Sequence, residues 1–395
     1  MIIRVLIAVV LAVPAYFYTM RYNMHMFQQN GYKNKEHLHW LKKKFRLQWI
    51  LYFGLALGIV TCVFPYLALE IFEYLILLVI IVVYRAMKRM NTKKKLVYTA
   101  RVKRLLATEL IFTAAVFALV CGLGGMKRIP GLCLILVSVN LFLDIVANVI
   151  NHPMEAGINQ HYINDAVRKL KSVPGLTVIG VTGSYGKTSV KFYLQTLLQE
   201  KYNVLVTPES FNTPMGVVRT IRGSLKPTTE IFVCEMGARH VGDIKEICDM
   251  VHPDHGVITS IGPQHLETFF NMENIQKTKF ELADALPEGG MLFLNGDNDY
   301  IQQQAASPAY DQTPEKIFYY SETEGTGYCA KDVKVSQLGT EFTVVTPDGE
   351  SERFQMRLIG AHNVINVVGA IAVAHKMGMT CLLYTSDAAD DSLRV

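Results

Sequence analysis

Hydrophobic and polar positions follow two different periods along the chain. Over residues 1–150, long apolar runs alternate with short basic segments. Ile2–Met20 is apolar apart from Arg4. It lacks a small-residue cleavage site followed by a mature start, so it reads as an anchor rather than a removable signal. Trp49–Met87 is too long for one span of ~20 residues, and Pro65 with the acidic pair Glu70 and Glu73 marks a turn within it. Leu105–Gly125 and Ile129–Ile150 form a second hairpin around Met126, Lys127 and Arg128. The pattern predicts an α-helical membrane domain of five spans over residues 1–150.

Beyond Asn151 the period shortens. Short apolar runs at Leu176–Val181, Asn203–Thr207, Ile231–Glu235, Gly256–Ser260, Met291–Asn295 and Ile317–Tyr320 read as strands. Helical patterns such as Thr188–Lys201 and Val241–Met250 lie between them. Such alternation implies βαβ units and a mostly parallel sheet covered on both faces. Residues 331–358 alternate with period two around Pro347, Asp348 and Gly349, which predicts a small antiparallel hairpin annex. A second, α/β domain is thus expected over residues 151–380.

Charge sharpens the division. Residues 1–150 carry 19 Lys and Arg against 5 Asp and Glu, a net of +14, and the remainder carries 20 against 29, a net of −9. The overall +5 describes neither half and gives no ground for nucleic-acid binding. The cations cluster in two inter-helix segments, one with Lys42, Lys43 and Lys44, the other with Lys93, Lys94 and Lys95. Positive charge on the inner side places both in the cytoplasm, the N-terminus outside, and everything after Ile150 inside. Glu109 and Asp144 lie within apolar runs, near the expected cytoplasmic helix ends, and read as interfacial. The same reading applies to His37 and His39. The seven cysteines show no metal-ligand spacing and no disulfide framework, the usage of a reduced compartment.

The candidate chemistry begins at "VIGVTGSYGKTS", residues 178–189. It departs from G-x-x-x-x-G-K-[ST], because Val181 stands where that pattern has its first glycine. Gly183 and Gly186 still let backbone amides, with those of Ser184, Thr188 and Ser189, turn toward phosphates at a helix N-terminus. Lys187 would reach the β- and γ-phosphates of ATP and the Thr188 hydroxyl would bind Mg²⁺. Downstream, Glu235 ends an apolar strand, His265 follows another, and Lys277 and Lys279 lie on one helical stretch.

Together "TGSYGKTS", "EMGA", "QHLE", "KTKFELA", "LNGDN" and "GAHNVIN" resemble the Mur ligase family, the ATP-dependent amide ligases of cell-wall precursor synthesis, over roughly Asn151–Met379. Several of these motifs are shared with folylpolyglutamate and cyanophycin synthetases, and "GSYGKTSVK", "FNTPMGV" and "EMGARHVGDI" are closest to the branch that adds D-alanyl-D-alanine. The resemblance implies roles at matching positions. Glu235 and His265 would hold a second Mg²⁺, with Lys279 as a carbamoylated lysine that positions it and Lys277 as the alternative in register. Asn363 would contact the adenine side of ATP, Asn295 and Asp297 would lie near the nucleotide, and Asn212 near the acceptor. The implied reaction activates a substrate carboxylate as an acyl phosphate, which an amine then attacks. A UDP-linked or lipid-linked muramyl peptide would be the acceptor.

Two departures qualify the resemblance. The five expected spans stand where the family has its UDP-sugar domain, and its third, Rossmann-like domain is expected beyond this chain's last residue. "CLLYTSDAADDSLRV", residues 381–395, resembles the translated read-through of a sequencing adapter, so the native gene is expected to continue and this chain to be inactive as it stands. A non-catalytic membrane scaffold with a ligase-like nucleotide domain is the alternative from another class.

Overall fold

The computed structural model describes residues 1–87, 95–308, 310, 316–322, 327–337, 339–357 and 361–379. Lys93 and Lys94 of the second basic segment, Leu358 of the expected hairpin, and the adapter-like residues 381–395 lie outside them. Two compact units divide at Ile158 and Asn159.

The first unit is helical: α1 (Ile2–Gln29), α2 (Asn34–Lys43), α3 (Phe45–Val63), α4 (Leu67–Met87), α5 (Ala100–Gly124) and α6 (Ile129–Lys171), the last of which belongs to the second unit from Asn159 on. Helices α1, α4, α5 and α6 are each long and apolar enough to cross a membrane, and a fifth span is reached if α2 and α3, bent against each other, count as one. α1 runs well past the basic residue Arg21, and α6 passes straight through Ile150. Pro65 alone marks the break between α3 and α4. Glu70 and Glu73, expected in the turn, instead lie inside α4 and are buried. The reason is pairing: Arg4 Nε donates to Glu70 at 2.6 Å, and the Thr61 hydroxyl donates to Glu73.

Glu109 and Asp144 are buried rather than interfacial. Asp144 is far from a helix end because α6 continues to Lys171. The two carboxyls face each other, and none of their four oxygens meets a donor from another side chain. The histidines also separate: His39 is exposed, whereas His37 is buried, stacked on Trp40 and edge-on to Phe27.

The second unit holds one nine-stranded sheet. Its elements are β1 (Thr177–Thr182), α7 (Lys187–Leu198), β2 (Val204–Val206), α8 (Pro214–Ser224), β3 (Ile231–Glu235), α9 (Asp243–Val251), β4 (His255–Ile258), α10 (Leu266–Phe269), α11 (Met272–Asp284), β5 (Met291–Asn295), α12 (Asp299–Ala305), β6 (Ile317–Ser321), β7 (Tyr328–Ser336), β8 (Gly339–Val345), β9 (Ser351–Met356) and α13 (Ala361–Lys376). The strand order is β2-β3-β1-β4-β5-β6-β7-β8-β9, parallel as far as β7. β8 and β9 then run antiparallel. The expected annex is therefore not separate: three strands continue the main sheet, joined to it by the parallel pairing of β6 with β7. The expected turn closes β8 onto β9, with Gly349 at φ +83°.

Alternation along the strands builds two cores. Ile179, Val181, Val233, Val257 and Phe293 face α7 and α13, while Val178, Phe232, Cys234, Ile258 and Leu294 face α8, α9, α11 and α12. Period two thus sends successive residues into opposite layers. Burying each large aliphatic side chain contributes about 1.5–3 kcal/mol. β1 lies where the order turns, with β3 on one side and β4 on the other. In open α/β sheets ligands bind beyond the carboxyl ends of strands at such a switch point.

Candidate active site

The loop after β1 is shaped by its glycines. Gly183 has φ +151° and Gly186 φ +81°, backbone that disfavours other residues. A Cβ on Gly183 would stand 2.1 Å from Thr259 Oγ1, and one on Gly186 2.6 Å from Asn366 Oδ1. The loop is pinned to the segment after β4. Ser184 N donates to Ser260 O at 2.6 Å, Tyr185 N to Ser260 Oγ at 3.0 Å, and the Ser184 hydroxyl to Gly262 O at 3.1 Å. Lys187 folds back over the loop, its Nζ donating to Gly183 O at 2.7 Å and Ser184 O at 3.2 Å. Burial lowers its pKa and the Glu235 carboxylate opposes that shift.

Glu235, at the end of β3, is the centre of the site. Its Oε2 accepts the Thr188 hydroxyl at 3.1 Å and the Lys191 ammonium at 2.9 Å, and its Oε1 accepts the Asn212 amide at 3.0 Å. Its backbone N–H donates to Thr207 Oγ1 at 3.1 Å. Asn212, expected near the acceptor, is thus joined to the same carboxylate as Thr188. Ser189 is half-buried beside Thr188 on α7.

Lys279 and Lys277 separate cleanly. Two residues on α11 are about 200° apart around the axis. Lys277 is 60% exposed and paired with Glu273 at 2.7 Å. Lys279 is 2% exposed. Burial and the charge of Lys187 push its pKa down to about 7, against the pull of Asp243 and Glu281. It therefore carries a substantial neutral-amine fraction near neutrality, about half at pH 7, under the charge of the loop lysine.

The remaining positions are less convergent. His265 stands at the N-cap of α10 with φ +54°, half-exposed, its Nδ1 3.7 Å from Glu267. Asn295 Nδ2 donates to Thr259 O at 2.9 Å and its Oδ1 accepts Asp297 N at 2.9 Å, so it braces the strand ends beneath the loop. Asp297 in turn accepts Glu322 N at 2.6 Å. Asn363 accepts the Tyr193 hydroxyl at 3.4 Å on α7. The asparagine brought against the loop is Asn366, three residues later in "GAHNVIN". It and Lys191 escaped the sequence reading. The repeated asparagine of the motif was the signal for Asn366, whereas Lys191 had none beyond lying one turn from Lys187.

The donor set suits a nucleotide with its divalent cation. The Thr188 hydroxyl and Glu235 carboxylate are hard oxygen donors in mutual contact. They lie at the N-terminus of α7, below a glycine cradle that side chains would fill. No group of three or more His, Cys, Asp or Glu able to hold a metal occurs among the described residues.

Comparison with known proteins accords with this geometry. Residues 181–374 match the Mur ligase middle domain. The chain is 35% identical over 209 residues to UDP-N-acetylmuramoyl-tripeptide–D-alanyl-D-alanine ligase of Bacillus subtilis, covering 52% of this chain and 42% of that one. Against the Escherichia coli protein of the same name it is 30% identical over 244 residues, 59% and 52% of the two chains. The crystal structure of MurF ligase from Thermotoga maritima in complex with ADP matches at TM-score 0.51 and 27% identity, covering 58% of this chain and 52% of that one. MurF from Acinetobacter baumannii matches at TM-score 0.53 and 24% identity over 59% and 50%, a likeness of fold. The chain spans about half the length of the curated relatives it matches.

Proposed function

With residues 181–374 belonging to the Mur ligase middle-domain family, we propose that this chain acts in an ATP-dependent ligase of peptidoglycan precursor synthesis, one that joins D-alanyl-D-alanine to a UDP-N-acetylmuramoyl tripeptide. The names of its relatives support these substrates and favour a UDP-linked over a lipid-linked acceptor. The observation that carries the reading is the contact of the Thr188 hydroxyl with Glu235 below the glycine loop.

When bound, ATP supplies the phosphoryl group that activates a substrate carboxylate, and Mg²⁺ neutralises the charge that develops. Lys187, which donates to the carbonyls of Gly183 and Ser184, would turn to the phosphate oxygens when the nucleotide is bound. Thr188 and Glu235 would hold the cation. The neutral form of Lys279 would add to carbon dioxide through its nitrogen, losing one N–H proton to solvent, and the resulting carbamate would set an anion under the influence of Lys187, with His265 as a further candidate ligand. Asn366 and Asn363 sit on the nucleotide side, and Asn212 on the acceptor side. The helical unit anchors the chain in the cytoplasmic membrane with its basic segments inside. A cysteine placed at Lys43, in a background without native cysteines, should resist an impermeant thiol reagent in sealed cells and react after lysis. Labelling before lysis would reverse the orientation.

The catalytic reading is tested on the whole gene product in nanodiscs. Phosphate should be released only when UDP-muramoyl tripeptide and D-alanyl-D-alanine are both present. Equal release without either would make the protein an ATPase and not a ligase.

A further inference from the structure

Lys191 lies one helical turn beyond Lys187, so the two project from one side of α7. Its side chain is 0% exposed. A buried ammonium is costly unless every proton finds an acceptor. Here Nζ donates to Glu235 Oε2 at 2.9 Å and to Glu209 O at 2.5 Å. The first acceptor is also the oxygen that takes the Thr188 hydroxyl. Lys191 therefore occupies the carboxylate oxygen that, with Thr188, faces the expected cation. The second acceptor belongs to the loop after β2, where Glu209 has a left-handed φ of +45°. That loop leads to Asn212, which holds the other oxygen of Glu235.

An ammonium and a divalent cation cannot both sit close to one oxygen without strong repulsion. We propose that Lys191 is a place-holding cation on Glu235: it neutralises the carboxylate while no metal is bound, yields Oε2 when a divalent cation arrives, and keeps its hold on Glu209. The inference rests on the reading that Thr188 and Glu235 hold that cation. It makes Lys191 a positioning residue that links metal occupancy to the loop carrying Asn212. The acceptor side is thereby reorganised only once the nucleotide's metal is in place.

The test is Mn²⁺ binding, followed by electron paramagnetic resonance on the full chain with ADP present. Wild type, Lys191→Gln, Lys191→Met and Glu235→Gln are compared, with metal-free melting curves to show that each is folded. Without an ammonium to displace, the two Lys191 variants should bind Mn²⁺ about tenfold tighter. Glu235→Gln should bind about tenfold weaker or worse. Unchanged or weaker Mn²⁺ binding in both Lys191 variants, with the Glu235→Gln loss intact, overturns the place-holder. An unchanged Glu235→Gln overturns the metal reading beneath it. A second measurement uses wild type alone: hydrogen exchange across residues 207–212 should change between ADP and ADP with Mg²⁺. An unaltered exchange pattern there contradicts the proposal even if the variants do not fold.

Discussion

The helical unit leaves Ile2, Leu6, Phe53 and Phe72 more than half exposed, while the α/β unit shows large apolar side chains only at scattered positions such as Val241 and Phe270. Inside, the contrast reverses. Buried side-chain atoms without a hydrogen-bond partner include those of Asn23, Gln48, Glu109, Asn140 and Asp144 in the first unit. In the second, among the described residues, only Ser307 and Thr346 have any. Water rewards the second arrangement and penalises the first. An apolar solvent reverses only the outer preference, because a helix there satisfies its own backbone and presents hydrocarbon outward, whereas a buried polar atom without a partner is costly in either solvent. The difference supports the proposed reading, in which the first unit faces lipid and the second faces water and a charged ligand. Stability of the first should rest on close helix contact, and of the second on burial and charge.

The largest effect expected on the stability of the helical unit tests the helix contacts. A Cβ on Gly131 of α6 would stand 2.8 Å from Gly58 O and 3.0 Å from Cys62 N on α3, backbone atoms that cannot move aside. Gly131→Leu should destabilise the helical unit by about 1–3 kcal/mol, read by denaturant titration in detergent. ADP binding by the α/β unit should not change. Loss of both would show that the units do not stand apart.

Charge in the second unit gives the next effect. The folded pKa of Lys279, about 7, lies below the free lysine value of ~10.4. Between these values the unfolded chain binds more protons, so the contribution of Lys279 to stability is fully present above the upper value and is lost as pH falls toward 7. Lys279→Met should raise the melting temperature by roughly 5–10 °C at pH 7 in bicarbonate-free buffer, and the gain should shrink toward pH 10. A pH-independent gain would mean that Lys279 is not a buried, depressed amine.

The smallest effect belongs to its neighbour. Lys277 makes an exposed pair with Glu273, four residues away on α11. Such pairs contribute about 0.2–0.5 kcal/mol. Lys277→Ala should leave melting and ADP binding nearly unchanged, and a large loss of either would exchange the roles of the two lysines.

Much of this architecture was legible because it rests on local periods. Apolar runs at Ile231–Glu235 and Met291–Asn295 give those strands without error, since a strand buried on both faces admits few polar residues. Glycine spacing gives the phosphate loop, because only glycine tolerates the backbone of Gly183 and Gly186. Partners that arrive from distant sequence are harder. Nothing near Lys191 signals Glu235, 44 residues on, so it reads as an ordinary helix-surface lysine. Glu70 resembles a turn residue until Arg4 is known to lie beside it. Asn366 and Asn363 share a motif, and only their places around α13 separate them. The antiparallel strands were legible as strands, but their continuity with the sheet depends on the pairing of Tyr320 with Tyr328, which no local pattern encodes.

The central claim is that the loop over α7 binds the phosphates of a nucleotide, and titration of ADP with Mg²⁺ into the full chain by calorimetry tests it most directly. Wild type should bind at a single site. Gly183→Ala, whose added carbon meets Thr259, and Lys187→Met, which removes the cation reaching the phosphates, should each weaken binding about a hundredfold or more, a loss of at least ~2.7 kcal/mol. Wild-type affinity retained in both variants, or no binding by the folded wild type, would contradict the account.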